Sequence, residues 1–519
     1  MNNPLPRTLA APFLGAGILA ILTSTTFAVD RSWNIAAPTE GDFLDGANWS
    51  PTFSGSWAAA DNAIVANGGT ATVSSGTTTI TDLFIGNLST TSGTLKLNAG
   101  TLSASRDLVI GRQGATGTVE ISGTGLLRGG TTFRVGVQND AATTAASASV
   151  AVSGPSAGIT SGTAANGVVV IGAASSTVSG LRATGSVTLS NSATWTHSSN
   201  GVFIAGGDNN TANQAGGTGS LLIQSGSLLN ITGTGNLAIG RNATAQGTVT
   251  VTGGTVTMGG GSIFIGGMNG TTTSGGNGTF TLNSGAVTTA QLSVREGTGT
   301  INLNGGTATV TSISEGNGSG TVNFNGTTVK VAADSADFLA GFETPDLNVQ
   351  SGGFLLDSNG KSVTFTQGAS GTGAFTKLGG GTLTVQGQST YSGGTTVSAG
   401  TLLVASGATL GSGGITVGSG GTLNFDYDFS LATGGLTLLT GSAVILDQSL
   451  SFTGLTIAGN SFSPGTYDYA TLKTAYPAIF ADGGSGQISV SAIPEPSSLA
   501  LIGIGIAAAL GIRRKRSTR

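Results

Sequence analysis

Cysteine is absent from the 519 residues, histidine occurs once, and only 8% of the residues are charged. The first absence excludes disulfides, thiolate metal sites and a thiol nucleophile. The one histidine, His197, lies in Thr194-Trp195-Thr196-His197-Ser198-Ser199 with no motif around it. A serine-histidine-carboxylate relay therefore has a single possible base, without the partners such a relay needs, and the expected place of His197 is the surface. A disordered chain would combine low hydropathy with high net charge. Here the mean hydropathy is +0.24 and the net charge −4. No basic tract in the body invites nucleic acid.

What is abundant is glycine, 90 residues, without the every-third spacing of a collagen helix. Thr, Val, Ile and Leu fill the intervals, and these favour pleated strands separated by close turns. One phrase recurs: a Gly, then Thr or Ser, then apolar residues two, four and nine places from the Gly. Gly93 leads Leu95, Leu97 and Leu102; Gly117 leads Val119, Ile121 and Leu126; Gly219 leads Leu221, Ile223 and Leu228. Gly247, Gly278, Gly299 and Gly320 open similar phrases. Offsets of two and four place side chains on one face of a strand. The offset of nine restarts the pattern on a second strand, and Leu83-Phe84-Ile85-Gly86, Leu108-Val109-Ile110-Gly111 and their kin supply a third. Three short strands per unit, each with an inward apolar row, describe one coil of a parallel β-helix.

The fold class expected is therefore all-β, a parallel β-solenoid of about 15 coils and ~70 Å, taking ~4.8 Å per coil. Residues 29–61, holding Trp33, Trp49 and Trp57, are expected to form an N-terminal cap; a sugar-binding aromatic platform is the rival reading. Residues 62–430 are expected to be coils and 431–490 a C-terminal cap. The stretch from Asn139 to Asn200 fits the phrase poorly and is expected to carry an insertion or degenerate coils. Asn98, Asn283, Asn304 and Asn325 stand five places after their leading glycines. Stacked coils would set such amides in a ladder, while turn preference accounts for them equally well.

The ends read as addresses. Arg7, an apolar run from Leu9 to Leu22 and Thr26-Phe27-Ala28 give a signal peptide over residues 1–28, cut after Ala28. At the other end, Pro494-Glu495-Pro496 precedes an apolar helix over about 497–512 and a tail, 513–519, with the stop-transfer cluster Arg513, Arg514, Lys515 and Arg516. A plain tail anchor would show the same stop-transfer pattern. With both ends removed, thirteen basic residues face 22 acidic ones and the body carries −9.

Ile493-Pro494-Glu495-Pro496-Ser497-Ser498, the short apolar helix and the basic tail resemble the PEP-CTERM sorting signal over residues 491–519. The resemblance implies an exosortase-like membrane protease and a secretion translocon as partners, with transient anchoring in the inner membrane before transfer to the cell surface or the exterior. Residues 373–404 resemble the autotransporter-associated β-strand repeat, with Lys377-Leu378-Gly379, Gly381-Thr382-Leu383, Tyr391-Ser392-Gly393-Gly394-Thr395 and Gly400-Thr401-Leu402 in family order. That family implies a right-handed β-helical passenger. No membrane barrel is expected in the roughly 90 residues between this repeat and Pro494, which departs from a self-translocating chain.

For chemistry the sequence offers Asp334, Asp337, Glu343 and Asp346, then Asp426 and Asp428, in irregular segments between repeats. Paired carboxylates could serve a polysaccharide lyase or glycosidase; solvated loop residues are the simpler reading. Gly207-Asp208-Asn209-Asn210 lacks the repeated pattern of a calcium-binding β-roll. The expectation is a structural or adhesion-type surface protein with no catalytic residues, cofactor or metal, in weak multivalent contact with extracellular polysaccharide. The alternative is a carbohydrate-active β-helix enzyme.

Overall fold

The computed structural model describes residues 28–138, 144–164, 166–174, 181–207, 216–268 and 275–491. The expected signal peptide up to Phe27, Asp208 with its two asparagines, and the Pro494-Glu495-Pro496 segment with its helix and basic tail lie outside them. Among the described residues nearly all regular structure is β-strand, with one seven-residue helix, Tyr469–Ala475. No helix among them is long and apolar enough to cross a membrane.

The strands stack in parallel ladders. The first ladder takes the Gly-led strands, such as Ser92–Leu97, Thr116–Ile121, Ser147–Ser153, Thr184–Ser190 and Thr218–Gln224, each in register with the next. The second runs without a break from Thr77 to Ile457. The third begins at Asp30 and closes with Leu339–Ala340. Consecutive strands therefore pair with strands one coil away, as a β-solenoid requires. Beyond that point a separate parallel sheet of Lys361–Phe365, Gly381–Val385, Gly400–Val404, Gly421–Phe425 and Ala443–Ile445 lies between the second-ladder strands in sequence.

Alternation puts the aliphatic residues inside. Leu95, Leu97, Val119, Ile121, Leu221, Ile223, Val249 and Val251 are buried, while Thr94, Lys96 and Thr250 between them keep some exposure. Each such Leu or Ile contributes about 1.5–3 kcal/mol on burial. The ninth-place residue is inward for Leu102, Val256, Val287, Ala308 and Val329. Leu126 and Leu228, expected inside, instead pair with Thr101 and Thr194 on the outer face, and Leu127 and Leu229 take the core positions. One extra residue in the preceding turn moves the strand by one, and a shift of one flips every side chain to the other face.

Two glycines explain the corner between coils. Gly111, ending Leu108-Val109-Ile110, has φ +66°, and a Cβ there would strike the carbonyl of Ser147 in the next coil. Gly117, leading the following strand, would bring a Cβ against the carbonyl of Ile85 and the amide of Gly111. The two backbones meet where no side chain fits.

The described residues between 144 and 200 are more regular than the sequence indicates. Strands 147–153, 158–161, 168–174, 184–190 and 194–197 continue all three ladders in register. Ala148 occupies the place of the leading glycine, opposite Gly117 and Gly185, so the phrase is disguised rather than broken. The extra length falls between a third-ladder strand and the next first-ladder strand, at 139–146 and 175–183.

At the N-terminal end Trp33, Trp49 and Trp57 are buried, and their rings meet edge to face: Trp33 to Trp49 at 4.9 Å and Trp49 to Trp57 at 4.8 Å. Rings that cover one another present no faces to a sugar, which overturns the platform reading. Strand Asp30–Trp33 already pairs in parallel with Asn62–Val65 and is crossed antiparallel by Trp49–Ser50. At the other end Asn460–Ser461 folds back antiparallel on Leu455–Ile457, Gly465–Asp468 lies antiparallel to Gln487–Val490, and Phe480 bridges Val444.

Candidate functional site

The outer faces carry ordered polar columns. Thr376, Thr396, Thr416, Thr437 and Thr456 stand in register on five successive strands of the second ladder, each partly exposed. On the neighbouring sheet Thr382, Thr401 and Thr422 do the same. The expected asparagine ladder forms in part: Asn304 Nδ2 donates to Asn283 Oδ1 at 3.0 Å and Asn325 Nδ2 to Asn304 Oδ1 at 3.5 Å. Asn98, further down the rod, accepts from Ser122 Oγ at 3.1 Å. A second amide column escaped the sequence reading. Asn302 donates to Thr281 Oγ1 at 3.2 Å, Asn323 to Asn302 at 2.9 Å and Asn348 to Asn323 at 3.1 Å. Its signal was present, an Asn three places after Gly299 and after Gly320. Each amide tied to the coil before it fixes rung spacing and presents a rigid hydrogen-bonding stripe.

Two polar side chains point inward instead. His197 is fully buried, not on the surface as its flanking polar residues indicated. It ends strand Thr194–His197 in register with Ser161 on one side and Ile231 on the other, both core positions, so alternation carries it inside. Its Nδ1 lies 3.1 Å from Ser161 Oγ, and burial pushes its pKa down to about 4. Lys377, in the quoted repeat, is also wholly buried. Its Nζ donates to the carbonyls of Leu378 at 3.0 Å, Gly379 at 2.8 Å and Ala399 at 3.0 Å. Burial lowers its pKa to about 8, against the opposing field of Asp357. The ammonium clasps carbonyls of two successive coils. Nearby, the buried hydroxyl of Tyr391 pairs with Thr395 Oγ1 at 2.8 Å, and burial raises its pKa to about 12.

Of the carboxylates singled out by sequence, three tie neighbouring coils together and two hold a turn. Asp334 accepts from the Ser362 amide at 2.8 Å and Asp337 from Thr366 Oγ1 at 2.8 Å, each in the next coil. Glu343 and Asp346 bracket the short turn Thr344–Asp346, the Glu343 amide donating to Asp346 at 3.2 Å. Asp428 accepts from the Ser449 amide at 2.8 Å, and Asp426 is exposed. The residue that sequence missed here is Glu315, whose carboxyl is pushed upward by burial and by the charges of Asp346 and Glu343, against a hydrogen bond from the Gly320 backbone. Among the described residues no group of His, Asp and Glu has the arrangement of a metal site.

Residues 375–404 match the passenger-associated-transport-repeat model, and residues 492–516 match the PEP-CTERM protein-sorting motif. No curated protein and no solved structure matches the chain. The PEP-CTERM motif indicates an exported protein anchored in the membrane by its C-terminus and processed by exosortase-type machinery. The passenger repeat is itself part of the solenoid: Phe375–Leu378, Gly381–Val385, Thr395–Val397 and Gly400–Val404 are four of its strands.

Proposed function

We propose that the chain is a structural rod of the cell surface or extracellular matrix, a right-handed β-helix of about fifteen coils that holds its polar columns toward extracellular polysaccharide. The single observation that carries this is a sorting motif at 492–516 in a chain whose parallel ladder runs in register from Thr77 to Ile457. Residues 1–28 serve as the signal peptide, cut after Ala28, and 29–61 as the N-terminal cap. Residues 62–430 form the coils, 431–490 the C-terminal cap and 491–519 the sorting segment. Pro494, Glu495 and Pro496 are the recognition element, and Arg513, Arg514, Lys515 and Arg516 hold the tail on the cytoplasmic side. Long repetitive faces suit many weak contacts, whose avidity grows with number rather than with any one pocket.

The test is cell fractionation combined with polymer binding. The full chain is expected outside the cell, and a variant with Pro494→Ala, Glu495→Ala and Pro496→Ala in the inner membrane. Purified protein is expected to sediment with neutral polysaccharide without shortening it. Release of oligosaccharide would instead favour the carbohydrate-active reading, with Glu315, Glu343 and Asp346 as the acids to substitute first.

A further inference from the structure

The last strand among the described residues is held on both edges, whereas proteolytic nicking concentrates in exposed segments. Gln487–Val490 is an interior strand, parallel to Ser449–Phe452 on one side and antiparallel to Gly465–Asp468 on the other. Ile488 and Val490 are buried at 0% and 6% exposure. The amide of Ser491 still donates to the Phe452 carbonyl at 2.9 Å. The matched sorting motif begins at the next residue, 492, and Pro494 is the third residue after Ser491. At no more than ~3.6 Å per residue, under about 11 Å of chain separates this hydrogen bond of Ser491 from the Pro-Glu-Pro element.

A protease reads its substrate as an extended segment, commonly by strand addition. On the amino side of this motif the residues it would read are already committed to a sheet, on both edges. We propose that the strand Gln487–Val490 is a gate on sorting: cleavage at the motif waits for this strand to leave its two neighbours, so processing is governed by the local stability of the final coil. The inference rests on the sorting reading above. The chemical step is hydrolysis: the peptide C–N bond breaks, the acyl carbon gains the hydroxyl of a water, and the departing amine takes the proton. The gate acts before that step, on the fraction of chains whose motif can enter the protease. Cleavage that follows a fast local opening tracks the population of the open form.

The experiment uses the full chain in cells that carry an exosortase-type protease, with a pulse-chase and mass measurement of the new C-terminus. Two variants are compared with the parent chain: a ten-residue Gly/Ser spacer placed between Ser491 and Ala492, and Val490→Ala. The spacer leaves the coil intact and supplies free chain, and is expected to speed processing about tenfold or more by removing the opening step. Val490→Ala loosens the strand and is expected to speed it to a lesser degree. Equal rates in all three overturn the gate and leave the sorting reading standing. Cleavage of none of them overturns the sorting reading, and the gate with it.

Discussion

Trp195 and His197 share one hydroxyl: Trp195 Nε1 donates to Ser161 Oγ at 2.8 Å, and His197 Nδ1 lies 3.1 Å from the same oxygen. The serine accepts from the indole and shares a second hydrogen bond with His197 Nδ1, whereas His197 Nε2 faces only the apolar interior. That nitrogen has no hydrogen-bond partner among the described residues. The neutral ring is thus the form the interior accepts.

Acid should loosen the middle of the rod through this residue. The folded pKa of about 4 lies below the unfolded value of 6.5. The stabilising effect of the neutral ring is complete above the unfolded value, fades as pH falls from 6.5 to 4, and changes no further below. The loss is of the order of 3 kcal/mol. Denaturant titrations at pH 7.5 and pH 4 measure it, and His197→Leu is expected to flatten that part of the pH dependence. An unchanged slope in the variant would assign the acid sensitivity to other groups.

Lys377→Met should destabilise the repeat it belongs to. The substitution keeps the aliphatic stem but takes the ammonium from the carbonyls of Gly379 and Ala399, while the Leu378 carbonyl keeps the Ser358 amide, at about 1–3 kcal/mol for each carbonyl left unsatisfied. Hydrogen exchange of residues 375–404 is the sensitive readout, with faster exchange expected there and little change in the coils before Thr281.

Glycines of different geometry should respond differently to one methyl group. Gly111→Ala meets both a left-handed backbone and the Ser147 carbonyl, and should cost upward of about 3 kcal/mol. Gly380 has nothing within 4 Å of a would-be Cβ and no positive φ. Gly380→Ala should therefore be neutral or stabilise by about 0.4–1 kcal/mol through the unfolded chain. Melting temperatures of the two variants decide it.

The amide column makes a smaller claim. Asn304→Ala removes the link to Asn283 and the acceptor for Asn325, at about 1 kcal/mol for an exposed pair. Asn304→Asp keeps the shape but sets a carboxylate against the Asn283 carbonyl oxygen, and should cost more than alanine. The order of the two midpoints in urea is the measurement.

The stacked strands were legible because a period of two is a local property: Leu95 and Leu97, or Phe280 and Leu282, declare their face without reference to anything distant. The misreadings came from properties that are not local. Leu126 and Leu228 were assigned to the core because a turn one residue longer leaves no mark in the alternation. The coils at 139–200 were hidden by Ala148, which tolerates the leading position where other coils use glycine. His197 looks like a surface residue because its own neighbours are polar; its burial is fixed by a partner 36 residues away, Ser161. The carboxylates illustrate the same limit. Asp334 and Asp337 bond to Ser362 and Thr366, and only the coil length brings those groups together.

The back-turned strands Asn460–Ser461 and Gly465–Asp468 have a consequence for assembly. A second copy laid end to end meets strands of reversed polarity, where the parallel stack cannot be continued. Continuing the same parallel ladders from one copy into the next is therefore disfavoured at this end.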